Sequence, residues 1–167
     1  AAPGVTFSDE VEQYELVKLR LLNGSHSLIS YLGGLSNSPT IPSARDKEFV
    51  AKSVHAAIYN EFLPSIELPH GFDADAYVAQ LFHRWQNHAL GDKTARVGSD
   101  GSAKLLQRIP EPALRLLNMG QMPSEMALTA ASWIACVAPP AGFDPGEIAA
   151  EMEEPQGAAA CIEAGRK

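Results

Sequence analysis

A chain of 167 residues, 46% hydrophobic and 20% charged, is long enough to bury one core and too apolar to be a disordered segment. A formal net charge of −7 and a pI near 5.2 argue against a nucleic-acid or anionic-membrane surface, although one local pair of cations would still suit a small anionic substrate. No apolar run approaches a membrane span, the start AAPGVTFSDE lacks the charged and apolar parts of a signal peptide, and Cys136 and Cys161 lack metal-site spacing and read as reduced cytoplasmic thiols.

In chain order, the first helix is expected from about Glu12 to Leu22, capped by Ser8 or Asp9, with Asp9 and Glu12 at capping-box spacing. Asn23-Gly24 either breaks it or lets it continue, locally distorted, to Leu32, and Gly33-Gly34 then stops it. SNSPTIPSARD is a loop. DKEFVAKSVHAAIYNEFLPSI follows with Phe49, Val50, Val54, Ala57, Ile58 and Phe62 near helical spacing, ended or kinked by Pro64. After the turn LPHGF comes an Asp-capped helix with Tyr77, Val78, Leu81, Phe82 and Trp85 on one face. The next stretch, to Gly120, reads as helical turns interrupted at Gly98 and Asp100-Gly101, the glycine supplying a positive φ. PSEMALTAASWIACVA is a helix rich in small residues, PPAGFDPGEIAAEMEEP a turn and a short acidic helix with EMEEP on a solvated face, and QGAAACIEAGRK a weak terminal helix or tail. No alternating β-branched run is long enough for a strand, so the expected fold class is all-α across 1–167.

The chain has no GxGxxG after a strand, no GxxxxGK with a following Ser or Thr, and no GxSxG elbow; LGGLSNS has glycines but no preceding strand. The unusual feature is in YELVKLRLLNGSHSLISYLG, where Lys18, Asn23 and His26 interrupt an apolar helix. At the α-helical angle, Asn23 lies about 140° and His26 about 80° from Lys18, so the three fit within half the circumference. The ordinary reading is a solvated lysine, an Asn-Gly turn and a packed histidine. The chemical reading is coherent too. A lysine desolvated by leucines is a general base, an asparagine amide donates to a developing alkoxide, and a histidine holds a neighbouring hydroxyl. His55, His70, His83 and His88 share no spacing and read as structural, and Trp85 and Trp133 read as core.

YELVKLRLLNGSHSLISYLGGL, together with RVGSDGSAKLLQR from Arg96 to Arg108 and the ends of HGFDADAYVAQLFHRWQNHALGDK, resembles the polyol-specific long-chain dehydrogenases, the mannitol dehydrogenase and fructuronate reductase group. The resemblance runs from about Phe7 to about Met126 and is confined to that family's helical C-terminal domain, which has the 6-phosphogluconate dehydrogenase C-terminal-like fold. It implies that an N-terminal Rossmann domain, absent from this chain, binds NAD or NADP and is this domain's partner. It implies Lys18 as general base, Asn23 as the group polarising the reacting oxygen, and His26 as a substrate-hydroxyl partner, with Arg96 and Lys104 holding the far end of the substrate. No metal is needed, and neither nucleic acid nor membrane is a partner. The start on Ala1 rather than Met fits a piece of something longer.

Leu106 stands where the family pattern has a proline, and ARVGSDGS is more polar than that pattern, which leaves fructose, fructuronate and tagaturonate open as substrates. NGSHSLISYLG leans toward the fructuronate reductase branch. The competing expectation is a stand-alone helical binding module without catalysis; a regulatory helical protein is a weaker third, having no reason to gather these five polar residues.

Overall fold

The computed structural model describes residues 8–154. Over those residues the chain is a bundle of helices, and its only pairing of extended backbone is one isolated bridge between Thr40 and Lys93. The expected terminal helix or tail and Cys161 lie outside the described residues. No helix among the described residues is long and apolar enough to cross a membrane.

The long first helix has three parts: α1 (Val11–Val17), a wide π-helical turn (Lys18–Gly24) and α2 (Ser25–Leu35). Asn23-Gly24 therefore does not break the helix; it distorts it. Gly24 is needed for space. A Cβ there would lie 2.5 Å from the Phe62 ring, and Phe62 belongs to a second wide turn, Ala57–Phe62, that continues α4 (Glu48–Ala56). A single 3-10 turn with Pro64, Leu63–Ser65, ends that helix.

Every residue of α2 from Ser27 to Gly34 is buried, so this helix is the centre of the bundle. Its small residues admit neighbours on several sides. A Cβ on Gly33 would meet Ala44 of α3 (Ile41–Arg45) and Thr94 of α6 (Thr94–Gly98). One on Gly34 would meet Met152, which follows α10 (Glu147–Ala150). The two glycines thus serve packing and do not stop the helix. The stop comes at Asn37, in the left-handed region at φ 52°. Asn37 N–H donates to Gly34 O at 3.0 Å and Ser38 N–H to Gly33 O at 2.8 Å, the two bonds of a Schellman ending.

At its start, α1 also differs from the expected cap. Glu10 takes the cap position without a side-chain bond to the helix, while Ser8 accepts the Glu10 N–H at 3.0 Å. Other signals read as expected. Asp73 accepts the Ala76 N–H at 2.9 Å to start α5 (Ala74–Trp85), which buries Val78, Leu81 and Trp85. α7 (Gly101–Arg108) and α8 (Pro110–Asn118) follow the interruptions at Gly98 and Asp100, and α9 (Ser124–Val137) packs on α2. The start of α9 is capped from outside. The buried Glu61 carboxylate accepts the N–H groups of Glu125 at 2.7 Å and Met126 at 2.8 Å.

Because Phe62 is itself fully buried, a methyl group on Gly24 has nowhere to go. Gly24→Ala should lower the unfolding free energy by about 1–3 kcal/mol, the cost of overpacking, read as an earlier midpoint in urea.

Candidate active site

The wide turn changes the geometry of the polar residues on the first helix. Residues five apart in an α-helix lie about 140° apart; closing the turn by i→i+5 bonds instead sets such residues about one turn apart. Lys18 and Asn23 are such a pair, so the π register brings them toward one face. Lys18 is exposed, so the leucines beside it do not desolvate it as the sequence reading expected. Asn23 is half-buried, and its carbonyl oxygen accepts from Arg108 Nη1 at 3.0 Å and from Ser27 Oγ at 3.4 Å. The same guanidinium nitrogen donates to Ser27 Oγ at 2.8 Å.

A second arginine stitches the turn in the opposite sense. Arg20 is buried; its Nη1 donates to the Gln107 carbonyl at 2.5 Å, and its Nη2 pairs with Glu111 of α8. Arg20 thus runs from the wide turn to the end of α7, and Arg108 from the end of α7 to the wide turn.

His26, one helical turn beyond Leu22, packs its ring on Trp85 with centroids 5.6 Å apart. Burial is the largest cause that pulls its pKa down to about 4; Asp92 opposes this, and Arg84, Arg108 and Arg96 add to it. His26 is therefore a neutral imidazole near pH 7, able to donate one hydrogen bond and accept another.

Arg96 is exposed and pairs with Asp92 at 2.7 Å. Lys104 reaches back from α7, its Nζ donating to the carbonyls of Val97 at 3.2 Å and Ser99 at 2.5 Å, where α6 ends. A cation suits that helix end, and one N–H of the ammonium is left for another partner. Burial lowers the Lys104 pKa first, Arg108 lowers it further, and Arg96 adds to the effect, while Asp100 and Glu154 oppose it.

Arg108 bonds Asn23 directly, and Arg108 and Arg96 lie near enough to act on both His26 and Lys104. Lys18 is exposed and makes no hydrogen bond or ion pair to these residues among the described residues. A hollow between α1, the Leu63–Ser65 turn and α8 contains none of these five predicted residues. No group of three or more His, Cys, Asp or Glu among the described residues is placed to hold a metal ion.

Two residues escaped the sequence reading. Arg108 was inside the second motif but had no role; its place four residues after Lys104, on the same helix face, was the available signal. Glu154 was expected on a solvated face. Instead its carboxylate accepts Ser102 Oγ–H at 2.6 Å, Ser102 N–H at 3.1 Å and the Trp133 indole N–H at 2.9 Å, capping α7 from a distance. Trp133, expected in the core, is half-buried and turned toward that carboxylate. At the start of α7 it is Asp100 that takes the left-handed conformation, at φ 56°. Gly101 is there because a Cβ would strike Trp133 and the Tyr31 hydroxyl. The other histidines are peripheral: His55 stacks on Tyr59 and Phe82, and His88 pairs with Asp46.

The low pKa of His26 has a consequence for stability. The unfolded chain takes up this proton near pH 6.5, and the folded chain only near pH 4. Protons therefore favour the unfolded state between those values, and the stability contributed by neutral His26 is complete above pH 6.5 and lost as pH falls toward 4. His26→Gln should flatten the fall in unfolding free energy over that interval, as measured by denaturant melts at several pH values.

Residues 10–140 match the sequence family described as mannitol dehydrogenase C-terminal domain, beyond the Met126 at which the resemblance was expected to weaken. The chain is 36% identical over 131 residues to D-mannonate oxidoreductase of Escherichia coli, a stretch covering 78% of this chain and 27% of that protein. It is 31% identical over 131 residues to mannitol 2-dehydrogenase of Cereibacter sphaeroides, again covering 78% of this chain and 27% of that one. Its fold is similar to that of Pseudomonas fluorescens mannitol 2-dehydrogenase, solved as a ternary complex with NAD and D-mannitol, with a TM-score of 0.82 and 28% identity over 96% of this chain and 32% of that one. The chain spans about a quarter of the length of the curated relatives it matches. The helices from α1 to α9, with the Lys18-to-His26 and Arg96-to-Arg108 segments, fall inside the matched region, and the chain belongs to the mannitol dehydrogenase family, matching its C-terminal domain.

Proposed function

We propose that this chain is the substrate-binding and proton-transfer domain of an oxidoreductase that interconverts a keto-sugar or keto-uronate with its sugar alcohol or aldonate. The observation that carries this reading is the wide turn, which sets Lys18 and Asn23 toward one face beside a neutral His26. A nicotinamide cofactor, NAD or NADP, would supply the hydride chemistry. The described residues include no strand-turn-helix cradle for a dinucleotide, so that group would be held by a separate Rossmann domain of the same parent protein.

In oxidation, the Lys18 amine takes the hydroxyl proton from the carbon being oxidised, and in reduction the Lys18 ammonium returns it. The Asn23 amide donates to that same oxygen, where negative charge develops. His26, held neutral by burial, bonds an adjacent substrate hydroxyl. Lys18 is exposed in this domain, so the drier setting a lysine base needs would come from the bound sugar and the cofactor domain covering it.

At the far end, Arg96 and the remaining Lys104 N–H would hold the substrate. Arg96 with Lys104 would suit the carboxylate of a fructuronate- or mannonate-type substrate, and the same two residues could hold a neutral polyol through its hydroxyls. Proton transfer alone does not oxidise an alcohol, so the 167-residue chain should show no turnover with NADH or NADPH and a keto-sugar.

The test is an assay of the complete parent protein with NADH and NADPH against fructuronate, tagaturonate and fructose. Lys18→Ala should lower kcat by at least about 100-fold while leaving the melting temperature unchanged, because the side chain is exposed. Turnover that survives this change would remove Lys18 as the base.

A further inference from the structure

We infer that Arg108 is a positioning residue for the reaction, holding the turn that carries Asn23 through the Asn23 carbonyl; this rests on the role proposed for Asn23. Arg108 Nη1 lies 3.0 Å from the Asn23 carbonyl oxygen and 2.8 Å from Ser27 Oγ, so one guanidinium nitrogen binds both sides of Gly24, where the π register gives way to α2. The only other side-chain donor to that carbonyl among the described residues is Ser27 Oγ, at a long 3.4 Å.

Arg108 is also a half-buried cation with no carboxylate partner among the described residues. Its side-chain hydrogen bonds go to a neutral carbonyl and a hydroxyl. Without it the Asn23 carbonyl would lose its best side-chain donor. Arg20 fastens the same turn through Gln107 and Glu111, two residues that make no hydrogen bond to Asn23. Removing Arg108 therefore frees the Asn23 end of the turn while the Arg20 end stays tied.

The consequence is kinetic. Asn23 is assigned to the oxygen on which charge develops, so a loosened Asn23 weakens the transition state more than the bound sugar. A displacement of about 1 Å at such a group is enough for about a 100-fold loss.

The experiment measures kcat and KM in the complete parent protein, wild type, Arg108→Ala and Arg108→Lys, with whichever keto-sugar the wild type reduces. Native-state hydrogen exchange of the peptide spanning 18–28 is followed in the same three proteins. Arg108→Ala should lower kcat by about 10- to 100-fold with KM changed by less than about threefold, and amides of the 18–28 peptide should exchange at least about tenfold faster. Arg108→Lys, which keeps one donor for the carbonyl, should recover part of kcat and slow that exchange again. The inference fails if Arg108→Ala keeps wild-type kcat, if the loss falls on KM alone, or if exchange over 18–28 does not change. If Arg108→Ala does not fold, Arg108→Lys decides: kcat and exchange must lie between wild type and complete loss, and wild-type values for both overturn the role. A wild-type protein that turns over no keto-sugar would overturn the oxidoreductase reading itself, and this role with it, whatever the exchange shows.

Discussion

The contact between Gly24 and the Phe62 ring is the constraint on which the candidate site depends. It joins two wide turns, Lys18–Gly24 and Ala57–Phe62, at a place where even one added carbon would collide. An α-helix is the better-bonded form of this backbone, so a π turn persists only where packing holds it open. Phe62 holds it from below. Arg20 and Arg108 hold it from the side, each crossing to the other's element. The result is a helix whose ordinary amphipathic sequence presents Lys18 and Asn23 in a register that an α-helix would not give them.

The proposed substrate end depends on a different set of contacts. Arg96 and Lys104 sit on either side of the α6–α7 junction, and Lys104 ties that junction by bonding the carbonyls of Val97 and Ser99. The chain after α10 clamps it from outside. Met152 fills the space left by Gly34 and Gly98. Asp100 N–H donates to the Glu153 carbonyl at 2.8 Å, and Glu154 caps α7 through Ser102. A segment beyond residue 140, outside the family match, thus packs on the junction between the helices that carry Arg96 and Lys104.

Much of this was legible in the sequence, for stated reasons. Helices with a buried face of aliphatic and aromatic residues show their period, as in α5, and Asp73 and Pro64 act locally, so their effects could be read from neighbours alone. The family resemblance singled out the five polar residues from a one-dimensional spacing, and their roles are a proposal. What was hidden depends on partners distant in sequence. Asn23-Gly24 left a break and a distorted continuation both open because a glycine required by Phe62, 38 residues away, is indistinguishable locally from a glycine required by its own backbone. Gly33-Gly34 misled in the same way. Glu154 looked solvated because its three donors come from Ser102 and Trp133. Lys18 was expected among leucines, but Leu21 turns inward and the Lys18 side chain is exposed.

The most direct test is a crystal structure of the complete parent protein with a nicotinamide dinucleotide and the sugar substrate or a non-reacting analogue bound. The account requires the oxygen on the reacting carbon to lie within about 3.2 Å of both Lys18 Nζ and the Asn23 amide nitrogen, with His26 on a neighbouring hydroxyl and the wide turn intact. A sugar bound away from that face, with Lys18 in solvent and Asn23 without a ligand contact, would contradict it.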